Sequence, residues 1–144
     1  MQQNLCYTGH IKLLEREKSV KIQESAENYL ETILMLSKEL QHVRSVDIAN
    51  ELNYSKPSVS VAMKKLRESE LIVVDEDGFI TLTENGMEIA NKMYERHSLL
   101  SDWLVFLGVS RETALEDACR IEHVISEESF ERIRAHVTEM REHL

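Results

Sequence analysis

The sequence predicts a mainly α-helical protein in which a winged helix-turn-helix with a small β-hairpin wing precedes an all-helical domain. Three observations support this fold class. Apolar residues recur at helical spacing along most of the chain, only four glycines and one proline are present, and two short β-type runs flank an Asp-Gly turn. The 144 residues, 42% of them hydrophobic, can build two small cores. We divide the chain into an N-terminal extension (1–23), the winged helix-turn-helix (24–83) and the helical domain (84–144).

The helix-turn-helix is predicted from three consecutive helical segments. A broad apolar stripe at helical spacing indicates a first helix from Glu24 to Leu40. Ser45 is a suitable N-cap for the second helix, and Pro57 suits the first turn of the third. Asn53 lies between these two helices, where the turn needs a residue that tolerates a left-handed backbone.

The wing and the remaining helices follow in order. The runs ELIVV and FITLT on either side of Asp77-Gly78 predict a β-hairpin. Thr83 is the expected N-cap of a long helix that reaches about Leu107 and ends at Gly108. Two more helices are predicted at about 111–125 and 127–142, so this part of the chain is entirely helical.

The outward face of the third helix is basic. From Arg44 to Arg67, five Lys or Arg residues stand against two acidic residues, which gives +3 in a chain whose net charge is -9. Ser, Lys and Arg bind phosphates and base edges, whereas the acidic remainder of the chain repels DNA. We therefore predict double-stranded DNA as the partner of Arg44, Ser55, Lys56, Pro57, Ser58, Ser60, Val61, Lys64 and Lys65. The alternative is a winged helix that binds a protein and carries a solvated lysine face.

A candidate metal motif lies in the stretch DACRIEHVI. Cys119, Glu122 and His123 stand at i, i+3 and i+4, so they share one helix face, and all three side chains bind divalent transition metals. The alternative is a small buried cysteine beside a surface Glu–His pair. One helix cannot complete a coordination shell, so other ligands must come from elsewhere. The candidates are His97 in the long helix, and Glu31 and Asn28 in the first helix.

This order of motifs resembles the diphtheria-toxin-repressor family of metal-dependent transcriptional repressors, which includes the manganese transport regulators. The resemblance covers about residues 24–140 and rests on ENYLETILML, DIANELNYSKPSVSVAMKKL, GFITLTENG, YERHSLLSDWLVFLGV and DACRIEHVIS. It implies an Fe(II)- or Mn(II)-dependent repressor of metal-uptake genes, with Co(II), Ni(II) or Zn(II) as substitutes in vitro. Longer family members end in an SH3-like domain, which a chain ending at Leu144 is expected to lack.

The resemblance also implies a primary metal site. In the family, the positions of Cys119, Glu122 and His123 supply this site, and Cys119 contributes both its side chain and its carbonyl. A residue of the first helix completes the site, which is Met in the iron type and Asp in the manganese type. In this chain that position holds Asn28, which matches neither.

A second metal position distinguishes the two types. The manganese type uses residues that match Glu31 and His97, and both are present. The ancillary site of the iron type also uses the position of His97, but its other ligands align with Ser101 and Leu115, which are poor or impossible ligands. The chain is therefore a hybrid, iron-like at Cys119 and manganese-like at Glu31 and His97.

These features predict a metal-dependent DNA-binding switch, because a metal between the two units fixes the angle at which they meet. Paired recognition helices read DNA half-sites, so we expect a homodimer on a palindromic operator. The expected dimer surface comprises Leu99, Leu100, Trp103, Leu104 and Leu107. Such an apolar run also suits the core of a single protomer.

The composition disfavours several other classes. Two cysteines do not make a disulfide scaffold, no apolar run is long enough for a membrane span, and the start MQQNLCYTGH has no signal-peptide core. We therefore expect a cytoplasmic protein that does not associate with membranes. The sequence contains no nucleophile motif or phosphate loop, so we do not expect an enzyme. The alternative function is a winged-helix regulator that senses another ligand, with a structural metal or none.

Overall fold

The computed structural model describes residues 23–144, and the predicted extension at residues 1–23 therefore lies outside the described residues except at its last position. The described part is mainly α-helical with one small hairpin, which confirms the predicted fold class. The elements are α1 (23–39), α2 (Ser45–Leu52), α3 (Lys56–Glu68), β1 (Ile72–Val74), β2 (Ile80–Leu82), α4 (Glu84–Phe106), α5 (Arg111–Val124) and α6 (Glu127–Glu142). None of these helices is both long and apolar enough to cross a bilayer.

Two apolar cores organise the chain. The first joins α1, α2, α3, the hairpin and the start of α4, and its fully buried side chains include Leu30, Ile33, Ile48 and Val59. The second joins α4, α5 and α6 through Leu100, Ala118 and Phe130. Helix α4 contributes to both cores, so it links the helix-turn-helix to the C-terminal helices.

The helix-turn-helix has the predicted turn, but the N-cap of α2 differs from the prediction. Asn53 adopts the left-handed conformation, with φ 55 and ψ 42, which confirms its role in the turn. The N-cap of α2 is Arg44 and not Ser45, because the backbone of Arg44 is extended and its N–H donates to the Asp47 carboxylate at 2.8 Å, one residue earlier than predicted. The N-cap of α3 is Ser55, which precedes Pro57 in the first turn.

The wing is a two-stranded antiparallel hairpin that is tied to the rest of the domain. β1 pairs with β2 in the register Ile72↔Leu82, and the N–H of Ile80 donates to the carbonyl of Val43 at 2.8 Å. At the start of α4, a Cβ on Gly86 would lie 2.0 Å from the carbonyl oxygen of Leu71. Glycine is therefore required at this position because the hairpin packs directly against the first turn of α4.

Candidate metal centre and nucleic-acid interface

Three helices bring a compact group of ligands together. Glu31 of α1, His97 of α4 and Glu122 of α5 each offer one donor atom, and these atoms all lie within 4.8 Å of one another. The side chain of Glu122 is fully buried and Glu31 is 5% exposed. Two carboxylates that share a buried site need either protons or a cation between them. The group thus spans the helix-turn-helix on one side and the C-terminal helices on the other.

Glu122 lies between two histidines and contacts both of them. With its proton on Nδ1, His97 donates to Oε2 of Glu122 at 2.9 Å. On the other side of Glu122, Nε2 of His123 lies 3.3 Å from Oε1, but this pair does not meet hydrogen-bond geometry. Neither of these two buried atoms has a hydrogen-bond partner among residues 23–144. Because unpartnered buried polar atoms are costly, a carboxylate oxygen and an imidazole nitrogen left together in this way fit a divalent cation.

The contact between Glu31 and Glu122 shifts the pKa values of the two carboxyl groups in opposite directions. Burial, followed by its hydrogen bond to Glu122 and the charge of that carboxylate, raises the pKa of Glu31 to about 8. Burial also acts to raise the pKa of Glu122, but its close contacts with His123, His97 and Glu31 outweigh it and leave the pKa below its ordinary value. At neutral pH the metal-free pair therefore holds one proton on Glu31 and one negative charge on Glu122.

His123 is held in the charged form by two carboxylates. Burial acts to lower its pKa, but the close contact with Glu122 and the hydrogen bond to Glu27, together with the charges of both carboxylates, raise the pKa to about 9. In the metal-free protein this charged imidazole offsets the negative charge of the site. A metal that binds here must displace protons, because imidazole and carboxylate ligate only when deprotonated.

Three predicted ligands lie beside the group rather than within it: His123, which contacts Glu122 through Nε2, and also Cys119 and Asn28. Cys119 is a free cysteine at an exposed position, and partial burial of its sulfur, followed by the charges of Glu122 and Glu31, raises the pKa of the thiol. Asn28 is half-buried and lines, together with Glu31, His97 and Cys119, a cavity of about 200 Å³. Cys119 and Asn28 therefore face the same space as two members of the group, although their donor atoms are not part of it.

The sequence did not single out Glu27, although this residue contacts the site. Its Oε2 lies 3.0 Å from Nδ1 of His123, across 96 positions of sequence. Glu27 and Glu31 are four residues apart on α1, so they share a face, and that spacing was the available signal.

Arg96 is a second residue that sequence reasoning missed. It is 6% exposed, and its Nη1 donates to the carbonyl oxygens of Glu122 and Ile125 at 3.0 and 3.1 Å. Its Nη2 donates to Glu127 at 2.7 Å. These bonds hold the last turn of α5 against α4, so Arg96 fixes the backbone that carries Glu122. Its position directly before His97 in the sequence was the only available signal.

All nine predicted DNA-binding residues are exposed, as a DNA-binding role requires. They are Arg44, Ser55, Lys56, Pro57, Ser58, Ser60, Val61, Lys64 and Lys65. Val61 is 56% exposed on the outer face of α3, which is a high value for an apolar side chain. Ser55 also has a structural task, because its hydroxyl accepts the backbone N–H of Ser58.

The predicted dimer surface is only partly exposed. Leu100 is fully buried in the core that α4, α5 and α6 form, so its assignment to the dimer surface was wrong. Leu99 and Trp103 also pack against this core, and Leu104 is half-buried. Leu107 is 58% exposed, and its neighbour Phe106 is 52% exposed. The free apolar surface therefore begins near the C-terminal end of α4.

Comparison with known proteins places both halves of the chain in one family. Residues 21–78 match the model of the iron-dependent repressor N-terminal DNA-binding domain. Residues 83–143 match the model of the iron-dependent repressor metal-binding and dimerisation domain.

Individual relatives agree with the family match. The transcriptional regulator MntR of Escherichia coli is 33% identical over 87% of this chain and 81% of its own length. An uncharacterised HTH-type regulator of Methanocaldococcus jannaschii is 36% identical over 78% of this chain and 92% of its own length.

A solved structure shows the same fold. The manganese regulator SloR matches with a TM-score of 0.71 and 29% identity over 78% of this chain, and the chain spans 53% of SloR. Taken with the geometry of the site, these comparisons show that the chain belongs to the family of iron-dependent repressors, which are metal-dependent DNA-binding transcriptional regulators and not enzymes.

Proposed function

We propose that this protein is an Fe(II)- or Mn(II)-activated repressor in which bound metal favours the DNA-binding arrangement of the chain. The observation that carries the proposal is the convergence of Glu31 with His97 and Glu122 within 4.8 Å. Glu31 belongs to the helix that precedes the helix-turn-helix, whereas the other two belong to the C-terminal helices. The same proposal divides the chain into a DNA-binding domain (24–83) and a helical domain (84–144). The proposed ligands then lie on both sides of the boundary between these two domains.

The donor set suits a hard or borderline divalent cation. Glu31, Glu122, His97 and His123 offer carboxylate oxygens and imidazole nitrogens, the donors used for Mn(II) and non-haem Fe(II). Cys119 and Asn28 line the adjoining cavity and are proposed as additional ligands. A bound cation supplies the positive charge that allows both buried carboxylates to ionise together.

The coupling to DNA follows from what α1 touches. Leu30 and Ile33 of α1 are fully buried in the core that also contains Ile48 of α2 and Val59 of α3. Fixing Glu31 relative to His97 and Glu122 therefore fixes the helix-turn-helix relative to α4 and α5. The switch can only be as large as the difference in metal affinity between the two arrangements, and such couplings are typically about 1–3 kcal/mol.

The partners we propose are double-stranded DNA with a palindromic operator and a second copy of the chain, in the cytoplasm. The exposed basic face of α3 supplies the DNA contacts. The exposed apolar end of α4, with Phe106 and Leu107, supplies part of the dimer surface. The two-fold symmetry of the dimer then requires two half-sites about one helical turn apart.

The decisive experiment measures DNA binding with and without metal. A duplex is first selected from a randomised pool in the presence of Mn(II), and its affinity is then measured by fluorescence anisotropy in Mn(II), in anaerobic Fe(II) and in chelator. We expect the chelator to weaken binding about 5- to 150-fold. Equal affinity in metal and in chelator would refute the proposal.

A matched pair of variants tests the site itself. Glu122→Gln removes the charge of a fully buried residue, whereas Glu116→Gln makes the same change on an exposed residue of the same helix. We expect Glu122→Gln to lose the metal response and Glu116→Gln to retain it. Loss of the response in both variants would show that it depends on the overall charge of α5 and not on the proposed site.

A further inference from the structure

The contact between Glu27 and His123 joins the two halves of the chain beside the ligand group. Oε2 of Glu27 lies 3.0 Å from Nδ1 of His123, and the two side chains are only 13% and 9% exposed. Glu27 lies on α1 and His123 lies on α5, so this hydrogen bond spans the same junction as the proposed metal.

We infer that Glu27 is a positioning residue, which fixes the ring of His123 so that Nε2 faces the metal; this inference rests on the proposed function. An imidazole has two nitrogens, and the one that donates a hydrogen bond leaves the other as the metal ligand. Glu27 accepts a hydrogen bond from the N–H of Nδ1. In neutral His123 the free lone pair is therefore on Nε2. That atom lies 3.3 Å from Oε1 of Glu122, a member of the ligand group.

The unpartnered atoms agree with this assignment. Nε2 of His123 and Oε1 of Glu122 are both buried, and neither has a hydrogen-bond partner within residues 23–144. Nδ1, in contrast, has its partner in Glu27. The ring is thus satisfied on one edge and unsatisfied on the edge that faces Glu122, as a metal ligand with a carboxylate behind it requires.

The surroundings of Glu27 separate it from the direct ligands. Glu27 and His123 line a cavity of about 450 Å³, and Lys92 and Arg96 also line it. The cavity beside Glu31, His97, Cys119 and Asn28 is a different one. Neither His123 nor Glu27 belongs to the group whose donor atoms converge within 4.8 Å. His123 nevertheless contacts Glu122 through Nε2, whereas the opposite edge of the ring, at Nδ1, contacts Glu27. Its carboxylate therefore acts on the far side of the His123 ring.

The test is a Co(II) titration of the full chain. Glu27→Ala removes the acceptor, Glu27→Gln keeps an acceptor oxygen but removes the charge, and Glu24→Ala is the control one turn earlier on the same helix. We expect Glu27→Ala to weaken Co(II) binding about 10- to 100-fold, as for other partners of metal-ligating histidines. Glu27→Gln should give a smaller loss and Glu24→Ala none. The visible absorption bands of the saturated complexes should stay at the wild-type positions, because no direct ligand is lost.

The outcomes are separable. Unchanged Co(II) affinity in folded Glu27→Ala overturns the inference, and so do shifted absorption bands, which would make Glu27 a direct ligand. If Glu27→Ala does not fold, as judged by circular dichroism, Glu27→Gln decides by the same two readouts. Failure of the folded wild-type protein to bind Co(II) or Mn(II) would instead refute the proposed function.

Discussion

Raising the pH is expected to destabilise the metal-free protein, because two groups of its metal site have higher pKa values in the folded state than in the unfolded state. Glu31 has a folded-state pKa of about 8 against an ordinary value of 4.5, and His123 has about 9 against 6.5. Between pH 6.5 and 8 the folded chain therefore keeps protons at both positions that the unfolded chain releases. Since the folded state binds more protons, its stability falls as the pH rises through this window.

The size of the effect follows from these pKa values. A group that holds a proton only in the folded state loses about 1.4 kcal/mol of stability per pH unit. From pH 6.5 to 8, Glu31 and His123 each lose about 1.6 kcal/mol by this relation. We reduce the sum by about half because solvent in the adjoining cavities screens the site, which leaves about 1.5 kcal/mol. For a chain of this size that lowers the melting temperature by about 3–6 °C. Glu122, whose pKa is lowered, is ionised in both states and adds no slope in this window.

The measurement is thermal unfolding by circular dichroism in chelator at several pH values between 6.5 and 8. The double variant Glu31→Gln/His123→Gln removes both protonation equilibria and should unfold with a much flatter pH dependence. Glu39→Gln, an exposed change on α1, should keep the wild-type slope. A wild-type melting temperature that is constant or rises across the window, or an equal slope in the double variant, would refute this distribution of protons.

Two further predictions concern the frame of the site and the DNA face. Arg96→Met leaves the carbonyls of Glu122 and Ile125 without their hydrogen-bond donor. It should lower the free energy of unfolding, measured in urea, by about 2–4 kcal/mol. The control Lys92→Met loses only an exposed ion pair and should lower this free energy by less than about 1 kcal/mol. Equal losses would contradict the structural role of Arg96. Lys65→Ala should weaken binding to unrelated DNA sequences uniformly and reduce the salt slope by about 1. An unchanged slope would place Lys65 away from the phosphates.

Local patterns predicted the helices and the turns well, because these depend on neighbouring residues. The left-handed Asn53 follows from the tight turn between two helices, and the start of α4 follows from Thr83, which caps it as expected. The N-cap of α2 lies at Arg44 because the Asp47 carboxylate accepts the backbone N–H of Arg44, and this contact outweighs the intrinsic preference for serine. One-residue errors of this kind arise where two local interactions compete.

The site was predictable only in part, because a helix face is a local property and burial is not. The spacing of Cys119, Glu122 and His123 placed all three on one side of α5, yet Glu122 is fully buried and Cys119 is exposed. That difference depends on where α1 and α4 pack, and no spacing within α5 encodes it. The contact of Glu27 with His123, 96 positions apart, is likewise tertiary.

Leu100 illustrates the same limit for the dimer surface. Helical periodicity identifies which residues of α4 avoid water, but it does not distinguish the protomer's own core from contact with a second protomer. Leu100 packs with Ala118 and Phe130 inside the protomer, while Phe106 and Leu107 lie at the exposed end of the helix. The distinction requires the position of α6, whose Phe130 covers the middle of α4, whereas Phe106 and Leu107 stay more than half exposed.

Protons and metal compete for the same atoms at this site, and that competition limits the switch. In the metal-free protein, the proton on Glu31 and the charged ring of His123 balance the negative charge of Glu122, so the two units already meet without a cation. Metal binding must release these protons, and the free energy of that release is subtracted from the intrinsic metal affinity. Only the remaining difference in metal affinity between the two arrangements can favour the DNA-binding arrangement. The metal response should therefore strengthen as the pH rises from 6.5 to 8, where the metal-free protein itself loses stability.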